Sequence, residues 1–420
     1  MKIKFWLKIL STFLVLIILL TASIIHPVGV NDQARTFTRL YEFDYLGWTL
    51  KTLSRKGIET SLELISQLDE TNQREAVYQY LSLIHDVASL EAQVDTTSAN
   101  PQNSVSKSEV ELYTQELREY EKCLTKAQFI AEAVLQHQIS LVLADENLAF
   151  AGQPLPPVLF HSCKPPMQLI ISPREVIRQD ASISLVPDIE LQEIIKMEKE
   201  VESNLDVSAL VVPLGGISTY PTMVIRTSDL SFLLETIAHE WIHNYLALFP
   251  LGIHYSSSPQ LHTINETVAS IGGKEISQEV IRRFYADLLP PQLPTITNHS
   301  VKTGPVNQEE ESFDFRQEMY LTRLRVDQLL VQEKVLSAEQ YMERRREVFW
   351  EHGYYIRRLN QAYFAFHGAY ADVPYGAAGK DPVGTAVRIL WGESASLGEF
   401  INRMRWISSY EELQRIVYSY

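Results

Sequence analysis

The chain has 420 residues, 45% of them hydrophobic and 21% charged, proportions that exclude a largely disordered polypeptide. Lys plus Arg number 37 against 52 Asp plus Glu, a formal net charge of −15, so no basic face is offered to nucleic acid and no nucleic-acid partner is expected. Two cysteines, Cys123 and Cys163, exclude a disulfide scaffold or a cysteine-rich zinc module and leave room for one disulfide.

From Phe5 to Ile25 the chain carries 21 residues of which only Lys8 is ionised. As a helix these cover roughly 30 Å, the thickness of the hydrocarbon core of a bilayer. Lys2, Lys4 and Lys8 at its start put the N-terminus in the cytoplasm and the body outside, anchored in the lipid bilayer through residues 5–25 as a single pass. A cleaved signal segment is the competing reading; no small-x-small cleavage site is evident after Thr21-Ala22-Ser23.

Residues 33–94 read as helical. Leu40, Tyr41, Tyr45, Leu46 and Leu50 share one helical face, and Val77, Tyr80, Ile84 and Val87 recur at steps of three and four. The polar stretch 96–108 reads as a loop, followed by a long helix from Glu109 to about Asn147. Texture changes at Gly152, where prolines punctuate short apolar runs (VLF, QLIIS, SISLV, ALVVPL, TMVIRT) that read as strands, with a helix over 189–204. Pro221 confines the run 218–227 to a sheet edge or a strand start, where it could pair with an extended peptide. Helix returns at Asp229 and dominates to the end, interrupted by a polar loop over 290–312.

The fold class expected is therefore α+β and predominantly helical: an N-terminal transmembrane helix, a small β-sheet preceding a motif-bearing helix, and a helical C-terminal subdomain. Four regions follow: 1–27, a transmembrane anchor or signal segment; 28–150, helical; 151–289, an α+β zinc-binding catalytic region; and 290–420, a helical region completing the active-site cleft.

Within 228–250, capped by Ser228 or Asp229 and ended by Pro250, lies His239-Glu240-Trp241-Ile242-His243. Residues i and i+4 stack on one helix face, so both imidazoles can reach one metal ion, with Glu240 beside them as general base for a water polarised by that metal. Zn²⁺ suits nitrogen donors and needs a third protein ligand plus an open position. The next helix, opened by Ser258-Pro259, offers Glu266 as the leading third ligand and His262 as second choice; Ala269, Gly272 and Gly273 give it a small face for close helix contact. The alternative is an amphipathic core helix that happens to carry two surface histidines.

HEWIH followed by NETVA, with 22 residues between His243 and Glu266, resembles the gluzincin metallopeptidases over about 228–275. A wider resemblance runs to bacterial exported or membrane proteins labelled predicted aminopeptidases, through Asn360-Gln361-Ala362 and Tyr370. The resemblance implies a zinc peptidase acting on peptide or protein substrate, with Zn²⁺ on His239, His243 and Glu266 and a tyrosine, Tyr370, donating to the oxyanion. The GxMEN segment that holds a free amino terminus in aminopeptidases is absent. By chemistry alone Tyr363, His367 and Tyr375 are equally eligible as oxyanion donors. Two further readings stay open: a non-catalytic binding or scaffold protein retaining a metal site, and a zinc hydrolase of a non-peptide substrate.

Overall fold

The computed structural model describes residues 29–59, 68–98, 107–288 and 313–418. The apolar segment 5–25 and the polar loop 290–312 lie outside them, and among the described residues no helix is long and apolar enough to cross a membrane. The rest is mostly helical with small sheets, as the periodicities predict.

Among the described residues four helices come first: Val30–Thr38, Tyr45–Glu59, Glu70–Ser98 and Lys107–Asp145. The last two are long and pack side by side. Val77, Tyr80, Ile84 and Val87 are all buried in their seam, as the three- and four-residue steps require. The first apolar set fares otherwise: Leu40, Leu46 and Leu50 are exposed, because the helix begins only at Tyr45 and turns these residues outward.

Instead of one sheet there are two three-stranded sheets and a hairpin. The hairpin joins β1 (Ala149–Phe150) and β2 (Gln153–Pro154). In chain order follow β3 (Phe160–Cys163), β4 (Met167–Pro173), β5 (Ala181–Leu185), β6 (Val207–Pro213), β7 (Gly216–Ile217) and β8 (Thr222–Ile225). One sheet has the order β5-β4-β6, all antiparallel; the other has β3-β8-β7, with β3 parallel to β8. The helix Leu191–Leu205 covers one face of the first sheet and buries Ile194, Met197 and Val201 there. Of the two positions open to the run 218–227, a sheet edge or a strand start, the topology gives the second. β8 is the central strand, since β7 folds back onto one side and β3, distant in sequence, takes the other. Pro221 stands at the strand start, and the edge itself is β7.

The motif-bearing helix, Leu230–Leu246, follows β8 directly, and the helix carrying Glu266, Pro259–Phe284, packs along it. The first ends at Leu246, earlier than Pro250, which opens a short helix, Pro250–Ile253. One core runs through the seam of the two long helices, this helix pair and the C-terminal helices Pro382–Glu393, Leu397–Met404 and Tyr410–Tyr418. The helices Phe315–Val331 and Val335–Glu351 form an antiparallel pair with a separate core around Met319, Val326, Met342 and Phe349. Both cysteines are free.

A buried ionic knot ties the first long-helix layer to the sheet that leads into the motif. Glu132 accepts from Lys56 Nζ at 2.6 Å, from Gln128 Nε2 at 2.7 Å and from the Ser162 backbone N–H of β3 at 2.7 Å, with His161 Nδ1 at 3.1 Å. Burial alone would raise its pKa; Lys56 and His161 outweigh that and hold the carboxyl down at about 2. A carboxylate depressed in the folded state contributes stability above its unfolded pKa and loses it as pH falls through the folded value. Removing one partner of a buried pair costs about 3–5 kcal/mol. Glu132→Ala is therefore expected to lower the unfolding free energy by about that much at neutral pH. The gap between variant and parent should close as pH falls from the ordinary carboxylate range towards about 2. Denaturant titration at several pH values measures both; a pH-independent gap contradicts the assignment.

Candidate metal centre

Two capped helices create the site. Asp229 accepts from the Phe232 backbone N–H and starts the first helix; Ser258 accepts from Leu261 N–H, with Pro259 at the first helical position, and starts the second. Small residues then let the backbones approach. A Cβ on Gly273 would stand 2.9 Å from the Glu235 carbonyl oxygen and 3.1 Å from the His239 backbone nitrogen, and one on Gly272 would stand 2.4 Å from Ile242 Cδ1. At Gly273 the neighbours are backbone atoms that cannot give way, which is why glycine stands there; at Gly272 the neighbour is the mobile tip of Ile242.

Across this interface His239, His243 and Glu266 converge, their ligand atoms within 4.8 Å of one another. The two Nε2 atoms lie 3.0 Å apart, and each is 3.6 Å from Glu266 Oε2. Glu266 is buried, and its two oxygens differ. Oε1 accepts from the Tyr255 hydroxyl at 2.5 Å, whereas Oε2 has no hydrogen-bond partner although it is buried. An orphaned carboxylate oxygen facing two imidazole nitrogens is a donor set that a tetrahedral zinc satisfies. Burial works against the Glu266 charge, but the two histidines outweigh it and hold its pKa well below the usual carboxylate range. Burial also works against a charged His243; Glu266 beside it outweighs this and pushes its pKa up. On the far side of the ring, His243 Nδ1 lies 2.7 Å from Asn265 Oδ1, and Asn265 in turn donates to the Leu251 carbonyl at 3.3 Å. A ligand imidazole oriented through its second nitrogen is the usual support of a metal site.

Glu240 is buried beside the cluster, and desolvation first, then Glu266, raise its pKa, against the pull of the two histidines. It abuts β7, where a Cβ on Gly216 would come within 2.9 Å of its Oε1. Asn244 Nδ2 donates to the Thr219 carbonyl and to Thr222 Oγ1, each at 3.2 Å, and so fastens the β7–β8 turn to the motif helix.

A cavity of about 400 Å³ opens over the cluster. Of the four proposed oxyanion donors, Tyr370 lines it, with its ring centroid 6.1 Å from that of His239. It is 37% exposed, so an incoming molecule can reach it. Desolvation, followed by Glu266 and Glu240, raises its pKa well above the ordinary phenol range. Tyr363, His367 and Tyr375 do not line this cavity. Tyr363 and His367 pack as a tilted ring pair with centroids 4.2 Å apart, and Tyr375 packs edge-on against Tyr320. His262 lines the cavity edge-on to Tyr255 but stands outside the three-ligand cluster, so the second-choice ligand is not brought in.

Asn360 and Ala362 serve as fasteners. Asn360 caps the helix Gln361–His367 by accepting from Tyr363 N–H, and its amide donates to the Ala209 carbonyl. Ala362 packs on Ile170, Leu210 and Val212 of the antiparallel sheet, with its N–H donated to Ser208 Oγ. This lays the helix on the sheet and delivers Tyr370 to the cavity three residues after its end.

Tyr255 and Asn265 were not singled out as site residues by the sequence. Tyr255 lies in an irregular connection with no periodicity to mark it; Asn265 adjoins a ligand, a position from which a residue can support the neighbouring helix. Comparison of the chain with protein-family models, with curated proteins and with solved structures finds no match.

Metal analysis of the purified body is expected to give one zinc per chain. His243→Ala and Glu266→Ala should each lose most of it, His262→Ala should keep it, and Asn265→Ala should weaken affinity by about 10–100-fold. Full zinc in Glu266→Ala with loss in His262→Ala would put the third ligand at 262.

Proposed function

We propose that this chain is a zinc-dependent peptidase of the HExxH-plus-glutamate kind, acting on peptide or protein substrate and anchored in the membrane through residues 5–25 with its body extracytoplasmic. The observation that carries the catalytic reading is the buried, unpartnered Oε2 of Glu266 facing the Nε2 atoms of His239 and His243 while Tyr255 occupies Oε1. The anchoring reading is supported by the 21-residue apolar run behind Lys2 and Lys4, with Lys8 near its start.

His239, His243 and Glu266 would hold the ion. When bound, zinc supplies Lewis-acid polarisation of a carbonyl and makes water a nucleophile near neutral pH. Glu240 accepts the proton of the attacking water and passes it to the departing amine; its raised pKa suits a group that must both take and release a proton. Tyr370, a phenol and so protonated at neutral pH, donates a hydrogen bond to the oxygen on which charge develops. β7, pressed against Glu240 by the absence of a side chain at Gly216, offers backbone groups at the cavity wall for an extended chain.

Glu240→Gln is expected to retain zinc and thermal stability while losing hydrolysis by at least about 10²–10⁴-fold. Tyr370→Phe should lower kcat by about 10²–10³-fold with KM and zinc content little changed. Cleavage of fluorogenic peptide pools by zinc-loaded parent and variants measures both. A parent without turnover on any pool would favour a non-catalytic protein with a retained metal site, and an active Glu240→Gln would remove the motif from the chemistry.

A further inference from the structure

The metal cavity does not end at the metal. A second, larger cavity of about 740 Å³ adjoins it across Gln179, Ser182, Tyr255, His262 and Ala369. Neither is enclosed, and the cluster of His239, His243 and Glu266 therefore sits partway along a two-chambered cleft. An enzyme removing one terminal residue needs one residue-sized space beyond the reacting bond, closed by a group that captures the chain end. The larger chamber exceeds that need.

Among the described residues that line the two chambers, no carboxylate and no guanidinium is left unengaged to serve as such a group. A terminal ammonium needs an unengaged carboxylate near the reacting bond. The carboxylates lining the metal cavity are Glu240 and Glu266, the base and a ligand in the reading above. Those of the second chamber are Asp180, held by the Arg178 guanidinium, and Asp381, which accepts from the Val383 and Gly384 backbone N–H groups as a helix cap. A terminal carboxylate would want an unengaged guanidinium. Arg178 is taken by Asp180, and Arg323 by Asp327 at 2.9 Å and the Ala377 carbonyl at 3.1 Å. Lys380, the other cation among the described residues lining the second chamber, is exposed and offers a solvated ammonium in place of a guanidinium fork.

The wall between these ends fits a backbone better than a terminus. β7 pairs with β8 on one side only, and Gly216, Ile217 and Ser218 line the metal cavity on the other. An unpaired strand edge recognises the N–H and C=O groups of any extended chain, whatever its side chains. Across the cavity Ser182, Ser184 and Gln168 add hydroxyl and amide groups, already linked to one another and to the Tyr45 hydroxyl.

We infer that the substrate is an extended polypeptide lying across both chambers, with both termini outside, cut at an internal bond. The inference rests on the peptidase reading of the metal centre. Water adds its hydroxyl to the carbonyl carbon, the C–N bond breaks, and the second proton goes to the new amine, so no co-reactant is required.

The test uses the zinc-loaded protein and peptides of about ten residues, which span roughly 33 Å when extended, in free, N-acetylated, C-amidated and doubly capped forms, with products identified by mass spectrometry. Internal cleavage of the doubly capped peptide at a rate comparable to the free form is expected. Release of single residues only from a free N-terminus, or only from a free C-terminus, would overturn the inference and leave the peptidase reading standing. No cleavage of any form by fully zinc-loaded protein would overturn both. Ala378→Trp, which fills part of the second chamber, should reduce kcat/KM for the long capped peptide by about tenfold, the scale of one lost pocket contact, and affect a capped tetrapeptide less. Equal loss at both lengths would show that the chain does not enter that chamber.

Discussion

One carboxylate reaches two imidazoles on a neighbouring helix only if the two helix backbones lie unusually close, and that approach is the constraint on which the site depends. Gly273 sits against the backbone of Glu235 and His239, and Gly272 against Ile242. Ala269 completes the small face and is fully buried. Glycine in a helix interior costs roughly 0.5–1 kcal/mol relative to alanine, so two in succession are tolerated here because the packing they permit returns more. The caps at Asp229 and Ser258 fix where each helix begins and thereby the heights at which 239, 243 and 266 meet.

The opposite wall of the cavity is set by a different part of the chain. Glu198, fully buried on the helix Leu191–Leu205, accepts from the Val211 backbone N–H at 2.7 Å and pairs with Arg357 and Arg358. That junction fixes the segment just ahead of Asn360. Asn360 and Ala362 then seat the following helix on the antiparallel sheet, and Tyr370 arrives across from His239. Two otherwise separate packing units thus face each other over the candidate metal site, one carrying His239, Glu240, His243 and Glu266, the other Tyr370.

The convergence of His239, His243 and Glu266 was legible in the sequence because the features that produce it lie on two successive helices. The i,i+4 histidines need only a helix, the caps need only neighbouring residues, and the small face at 269–273 reads directly as a close contact. The burial of Val77, Tyr80, Ile84 and Val87 followed from periodicity in the same way. Features that depend on distant pairing were not legible. Pro221 left the run 218–227 at a sheet edge or a strand start; that β3, some sixty positions earlier, pairs with it and makes it central is a distant contact no local pattern carries. Chemistry alone left Tyr363, His367, Tyr370 and Tyr375 level, and only the resemblance put Tyr370 first; that Tyr370 alone of the four lines the cavity depends on the tertiary path of the segment. Tyr255 was invisible for the reverse reason: its partner, Glu266, is near in sequence, but the connection that carries it has no repeat to betray its direction.

The most direct test of this account is a crystal structure of the zinc-loaded protein with anomalous data collected on both sides of the zinc absorption edge. The account predicts a single strong peak within about 2.0–2.2 Å of His239 Nε2, His243 Nε2 and Glu266 Oε2, with a coordination position left open towards the cavity lined by Tyr370. A peak elsewhere, or an ion at this place ligated by His262 in place of Glu266, would contradict it.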